Sequence, residues 1–190
     1  DYVMNRYFRL KHYIARNLRR YNLMPIINRL RPSTIRGDQF HGSEQYWKDR
    51  YEIGGDSGEG SYGALANYKA EYLRHVIDES DAESIVEFGC GDGHQASMLT
   101  IKSYTGVDIS PLCIEQCRTK LGLRGWKFML LKDYNNRPPL REFDIAISLD
   151  VIYHLVEDKT YDDYLETLFS ASNNLTVVYS SNFDRYYDDA

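Results

Sequence analysis

The stretch SIVEFGCGDGHQ, Ser84 to Gln95, restricts the fold more than any other part of the chain. A short β-rich run passes directly into glycines at 89, 91 and 93, and everything after it keeps alternating strand with helix. QASMLTIK reads as a helical piece and YTGVDI as a second strand. PLCIEQCRTKLG is a helix with Ser110 as N-cap, Pro111 in its first turn and Gly122 at its end. WKFMLL is a third strand and FDIAISL a fourth. TYDDYLETLFSAS is a helix that gathers Tyr161, Tyr164, Leu165, Leu168 and Phe169 on one side, and LTVVYS is a fifth strand. Such alternation predicts an α/β fold, a doubly wound parallel sheet covered by helices on both faces.

The residues before this sheet divide in two. From 1 to 30, Met4, Tyr7, Leu10, Ile14, Leu18 and Tyr21 recur at steps of three and four with arginines between them, until Pro25 interrupts the pattern. Residues 1–36 therefore read as a basic amphipathic arm. They hold nine Lys or Arg and one Asp, a charge of +8, whereas residues 37–190 hold fourteen Lys or Arg against twenty-seven Asp or Glu, a charge of −13. Such an arm suits contact with an anionic membrane surface, a charged glycan or a protein partner, or docking on the acidic body of its own chain. Residues 37–63 are rich in Gly, Ser and aromatics without sustained periodicity, which predicts an ordered but irregular connector. Ser61 is the expected cap of a helix whose apolar face is Leu65, Tyr68, Tyr72, Leu73, Val76 and Ile77, and residues 64–190 form the sheet domain.

Composition excludes several classes. The 190 residues contain no apolar run long enough to cross a bilayer, and three cysteines are too few and odd in number for a disulfide framework, so a reducing, cytoplasmic setting is expected. Cys113 and Cys117 have the spacing of a helix face that holds a metal, yet no matching Cys/His pair accompanies them; core packing is the other reading, and no metal site is assigned. A sequence pI of about 5.5 leaves little electrostatic footprint for nucleic acid outside the arm. The chain starts at Asp1 without Met and stops soon after an apolar run, so both ends read as cut.

In a doubly wound sheet the turn after the first strand faces the ligand crevice. Gly89, Gly91 and Gly93 let the backbone bend there and lie against a cofactor. A dinucleotide fingerprint would want glycine where this chain has His94; the pattern is GxGxG instead. Glu87, just before the glycines, would repel a pyrophosphate but attract an ammonium or a sulfonium-bearing amino acid. Asp108, at the end of the second strand, has the reach to accept both hydroxyls of a ribose, and Asp133, after the third strand, stands at a depth suited to the amine of adenine.

With VEFGCGDG, GVDIS, LKDY and FDIAISLDVIYHL in this order, residues 61–180 resemble class I S-adenosylmethionine-dependent methyltransferases. The resemblance implies S-adenosylmethionine as cofactor and a Rossmann-like sheet of seven strands in the order 3-2-1-4-5-7-6. Five strands are visible here, so the final hairpin is expected beyond Ala190 or is missing. It further implies that Glu87, Gly89, Cys90 and Gly91 contact the methionine part, Asp108 the ribose, Ile109 the adenine face, and Asp133 with Tyr134 the adenine edge. Leu149 and Asp150 would border the sulfonium and the acceptor. For Ile109 and Tyr134 plain packing is an equal alternative.

Methyl transfer needs alignment, exclusion of water and, for a hydroxyl acceptor, removal of a proton. His154, just past the fourth strand, is placed for a base, with packing against a short helical turn as the alternative; Asp150 and Tyr153 are further candidates for positioning the acceptor. SLDV differs from the Asn/Asp-Pro-Pro-aromatic signature that stacks a flipped base, which leaves a small molecule or a saccharide as the expected acceptor of O- or N-methylation. The connector is also similar to that of bacterial methyltransferases associated with surface-glycan synthesis. The competing reading is a catalytically inert cofactor-binding scaffold docked to a membrane assembly through the arm. In the resembling family the segment before the first strand folds over the cofactor, so Tyr46, Trp47 and Tyr51 would shield the sulfonium, and the glycines of YEIGGDSGEGSYG would let this lid close. An inert connector with its aromatics in the core is the other outcome.

Overall fold

The structure, a computed structural model, describes residues 41–137 and 142–180. The predicted arm over 1–36 and its membrane or partner contacts lie outside the described residues. Among the described residues two helices precede the sheet: α1, Ser43–Glu52, and α2, Gly63–Ser80, with a 3-10 turn at Glu59–Ser61 between them. Then follow β1 (Ser84–Phe88), α3 (His94–Ser97), β2 (Ser103–Asp108), α4 (Pro111–Leu121), β3 (Lys127–Leu130), α5 (Leu131–Asn135), β4 (Phe143–Leu149), α6 (Asp158–Ser170) and β5 (Ser172–Tyr179). All five strands are parallel, in the order β3-β2-β1-β4-β5. The fold is therefore the expected α/β one, with the expected Rossmann-like order over these five strands.

β1 holds the centre, with Val86 opposite both Thr105 of β2 and Ala146 of β4. Ile85, Val86, Ile145, Ala146 and Ile147 are wholly buried, as strands covered on both faces require. Ser110 caps α4 through the backbone N–H of Cys113, and Pro111 opens that helix as predicted. On α6 all five predicted apolar residues are buried. All three thiols are buried and reduced; Cys113 and Cys117 turn into the core, and among the described residues no cluster of His, Cys, Asp or Glu is placed to hold a metal.

Three expectations need correction. The connector is not irregular throughout, because residues 43–52 are helical. Its α1 is tied down at the start by Ser43, whose N–H and hydroxyl both reach Glu157, each at 2.8 Å. Ser61 does not cap α2: the cap position is Tyr62, and the Ser61 hydroxyl instead donates to the Ser57 carbonyl. The inward face of α2 is also rotated from the expected one. Leu73 and Ile77 are buried, but with Ala66, Lys69 and Ala70, while Leu65, Tyr68 and Tyr72 are exposed. Two alanines let the helix approach closely, and the rotation delivers Lys69 to the end of β4.

Candidate functional site

A cavity of about 260 Å³ opens at the carboxyl ends of β1, β2 and β4. This is where an open α/β sheet changes winding direction and where its ligands bind. Its floor is the turn after β1. Gly89 and Gly91 stand at φ 82° and 53°, a left-handed backbone that other residues adopt only under strain. A Cβ on Gly89 would lie 2.3 Å from a Val151 methyl, and one on Gly91 the same distance from the Ser57 hydroxyl, so both sites exclude any side chain. The N–H groups of Gly89 and Cys90 donate to the Val107 carbonyl at 2.7 and 3.2 Å, which fastens the turn to β2.

Glu87 and Asp108 line this floor and are both buried. Burial pushes the Glu87 carboxyl up to about 7, against the opposing pull of the Tyr104 hydroxyl that donates to it and of nearby Lys69. Asp108 accepts from the N–H of Gly91 and of Ser110, each at 2.9 Å. Burial raises its pKa, offset by those amides. It thus braces the glycine turn and keeps lone pairs for a ligand. The Cys90 thiol faces Cys117 and the interior, which raises its pKa well above the ordinary range, so this residue offers the cavity its backbone rather than a nucleophile.

At the far wall Leu149 ends β4, and Asp150, Val151 and His154 follow it. Asp150 takes a left-handed backbone, φ 60°, and is ion-paired with Lys69, a lysine with a side-chain exposure of only 2%. Sequence reasoning missed Lys69 because its signal, one lysine at a core position of α2, appears only once the helix face is known. His154 packs edge-on to Trp47, ring centroids 4.7 Å apart, and beside Tyr153 at 4.3 Å. Burial, assisted by the Arg50 charge, lowers its pKa to about 4, so the imidazole is neutral at physiological pH.

The connector crosses above. Trp47 and Tyr51 of α1 line the cavity with Ser57 and Ser61. Tyr51 is buried and its hydroxyl pairs with that of Ser57 at 3.0 Å. Ser57 in turn donates to Asp92 in the glycine turn at 3.2 Å, and the Tyr62 hydroxyl donates to the second oxygen of Asp92. Residues 57–62 are thus fastened across the cavity by one carboxylate that the sequence reading did not single out.

Five expected site residues do not line the cavity: Tyr46, Gly93, Asp133, Tyr134 and Tyr153. Gly93 serves packing, since a Cβ there would come 2.8 Å from the Cys117 sulfur. Asp133 is exposed on α5 because the chain turns helical directly after β3; Leu131 and Asn135 of that helix face the cavity instead. Tyr134 packs edge-on to Phe88 at 5.0 Å with the Arg137 guanidinium 5.4 Å over its ring, the packing alternative. Tyr153 is hydrogen-bonded to Asp150, and burial raises its phenol, which stays protonated. Trp47 does reach the cavity, although Arg50 lies 5.5 Å over its ring.

Residues 85–173 match a family described as a methyltransferase domain. A small RNA 2′-O-methyltransferase of Arabidopsis thaliana is 28% identical over 136 residues, which cover 63% of this chain but 14% of that protein. Among solved structures, a bacterial Hen1 methyltransferase domain aligns over 60% of this chain and 65% of its own, at 20% identity and TM-score 0.51. NodS, an N-methyltransferase of Bradyrhizobium japonicum solved with S-adenosylhomocysteine, aligns over 67% of this chain and 68% of its own, at 20% identity and TM-score 0.51. The DhpI structure with SAM covers 74% of this chain and 66% of its own, at 20% identity and TM-score 0.52. Over residues 85–173 the chain is thus similar to methyltransferase domains, on a Rossmann-like α/β fold.

Proposed function

We propose that this chain binds S-adenosylmethionine in the cavity and transfers its methyl group to a hydroxyl or amine of a small molecule or saccharide. The observation that carries this is the convergence of Glu87, Asp108 and Asp150 around a glycine floor that no side chain could occupy. The donor set fits: carboxylates suit an ammonium and ribose hydroxyls, and the bare turn admits a cofactor backbone-close. When bound, the cofactor supplies an electrophilic methyl group on a good leaving group.

The protein has to hold, orient and dry the site. Glu87 would take the amino-acid end and Asp108 the ribose, with Ile109 and Leu131 against the adenine. Asp150, held by Lys69, would orient the acceptor at the end of β4, and neutral His154 would accept a proton from it. Trp47, Tyr51 and the Ser57–Tyr62 strap would form the lid that excludes water.

Isothermal titration of the chain with S-adenosylhomocysteine, followed by tritiated methyl transfer to fractionated small-molecule and glycan extracts, tests this proposal. Absence of binding would sink it; binding without transfer would favour an inert cofactor-holding scaffold. The likeness to the small RNA enzyme supports one further reading, a ribose 2′-hydroxyl of RNA as acceptor. Labelling of short RNA in preference to every extract would favour that reading.

A further inference from the structure

From Gln116 to Lys132 the chain holds five Lys or Arg and no Asp or Glu, whereas the rest of residues 37–190 holds nine against twenty-seven. The acidic average hides a local basic run. It sits at one edge of the sheet, because it covers the end of α4 and all of β3, the outermost strand. Arg118 reaches from α4 to the Phe128 carbonyl of β3 at 2.9 Å. Arg124 donates to the Ser97 and Leu99 carbonyls at 2.9 and 3.0 Å, with its guanidinium 4.7 Å over the Trp126 ring. Lys127 opens β3 and Lys132 lies in α5 just after it, both exposed. Among the described residues none of Arg124, Lys127 and Lys132 is ion-paired, and Arg118 meets only Glu115, at 4.0 Å. Lys120 stands apart, donating to the Asp92 carbonyl of the glycine turn at 3.2 Å.

Lysines on an outer strand deter pairing with other strands. That role needs cations on β3 itself, yet Arg118, Arg124 and Lys132 come from the segments before and after it. Two guanidiniums already held by carbonyls lose little freedom on meeting an anion, and their donor geometry suits phosphate. The acidic surroundings select the shape of the partner. A membrane plane would also press those carboxylates against its own charge, whereas a single strand of nucleic acid touches a narrow stripe and leaves them in water. β3 is about 13 Å long, room for a few nucleotides. Its cations end at Lys132, next to Leu131 on the cavity wall. Resting on the second reading above, in which a ribose hydroxyl of RNA is methylated, we propose that Arg118, Arg124, Lys127 and Lys132 form a docking surface for the backbone of single-stranded RNA, which the β3 edge leads to the cavity mouth.

The test is fluorescence anisotropy of a labelled, short single-stranded RNA of mixed sequence with the full chain, over a range of salt concentrations. Lys127→Ala with Lys132→Ala removes two exposed charges that hold nothing in the fold. It should lower the slope of log affinity against log salt by about 1.4 and weaken binding about twentyfold near 0.1 M salt. Arg74→Ala with Lys159→Ala, the same loss of charge on α2 and α6, should change neither. Residues 1–36 are identical in all these chains, so their charge cancels from the comparison. Equal weakening by both pairs, weakening by neither, or no RNA binding by the unaltered chain overturns the proposal. So does loss of binding to phosphatidylserine vesicles in the β3 pair with RNA affinity unchanged, which would make the surface a membrane contact. RNA that binds as predicted but is never methylated keeps the docking surface and overturns the second reading; RNA methylated equally well by the β3 pair, with unchanged affinity, does the reverse.

Discussion

Two titrating side chains carry most of the site's pH behaviour, with opposite signs. The Glu87 carboxyl is held near 7 by burial, above its ordinary 4.5, so the folded chain binds the extra proton between these values. Ligand-free stability should therefore fall as pH rises from about 4.5 to about 7, and Glu87→Gln should remove that slope in urea titrations. An ammonium beside Glu87 favours the ionised form. S-adenosylhomocysteine binding near pH 6 should thus release a proton, seen as a buffer-dependent binding enthalpy that Glu87→Gln abolishes. His154 is depressed to about 4 from 6.5, so the unfolded chain binds the extra proton there. Its contribution is complete above pH 6.5 and is lost as pH falls towards 4, on the order of 3 kcal/mol. His154→Gln should flatten unfolding free energy over that window. With His154 as proton acceptor, the acid limb of methyl transfer should lie below pH 5 rather than near 6.5.

The connector is the element whose behaviour the sequence described least well. Its glycines announced a chain able to pass close to something, and Gly60 does so, since a Cβ there would come 2.7 Å from the Asp150 carboxylate. What fastens it, Asp92 receiving the hydroxyls of Ser57 and Tyr62, joins residues thirty and more positions apart and has no periodic signature. Tyr62→Phe removes one of these bonds without disturbing Asp92. A hydrogen bond to a charged acceptor contributes about 1.5 kcal/mol at the lower end, so S-adenosylhomocysteine should leave about tenfold faster in stopped-flow measurements of Trp47 fluorescence. An unchanged release rate would show that the strap does not gate the cavity. The short α5 made a comparable difference to the adenine side. The sequence reading put Asp133 after the third strand at the depth of adenine, but an immediate helical turn carries Asp133 outward and brings Leu131 and Asn135 in.

At the scale of the whole molecule the site depends on α2 being held against the end of β4 by the buried Lys69–Asp150 pair. Removing one member of a buried pair strands the other charge. Lys69→Met should cost about 3 kcal/mol in chemical denaturation, and Lys69→Met with Asp150→Asn should recover part of it. The sequence by itself determined the alternating elements, the parallel sheet, the glycine turn and the two carboxylates at the ends of β1 and β2. Each of these is encoded locally, by a period of two or of 3.6 residues, by capping at Ser110 and Pro111, or by spacing along a strand. Only the tertiary structure decided which face α2 buries, that Lys69 meets Asp150 and that Asp92 holds the connector. Those outcomes depend on helix rotation and on contacts between distant segments, where close packing, not local pattern, selects among alternatives.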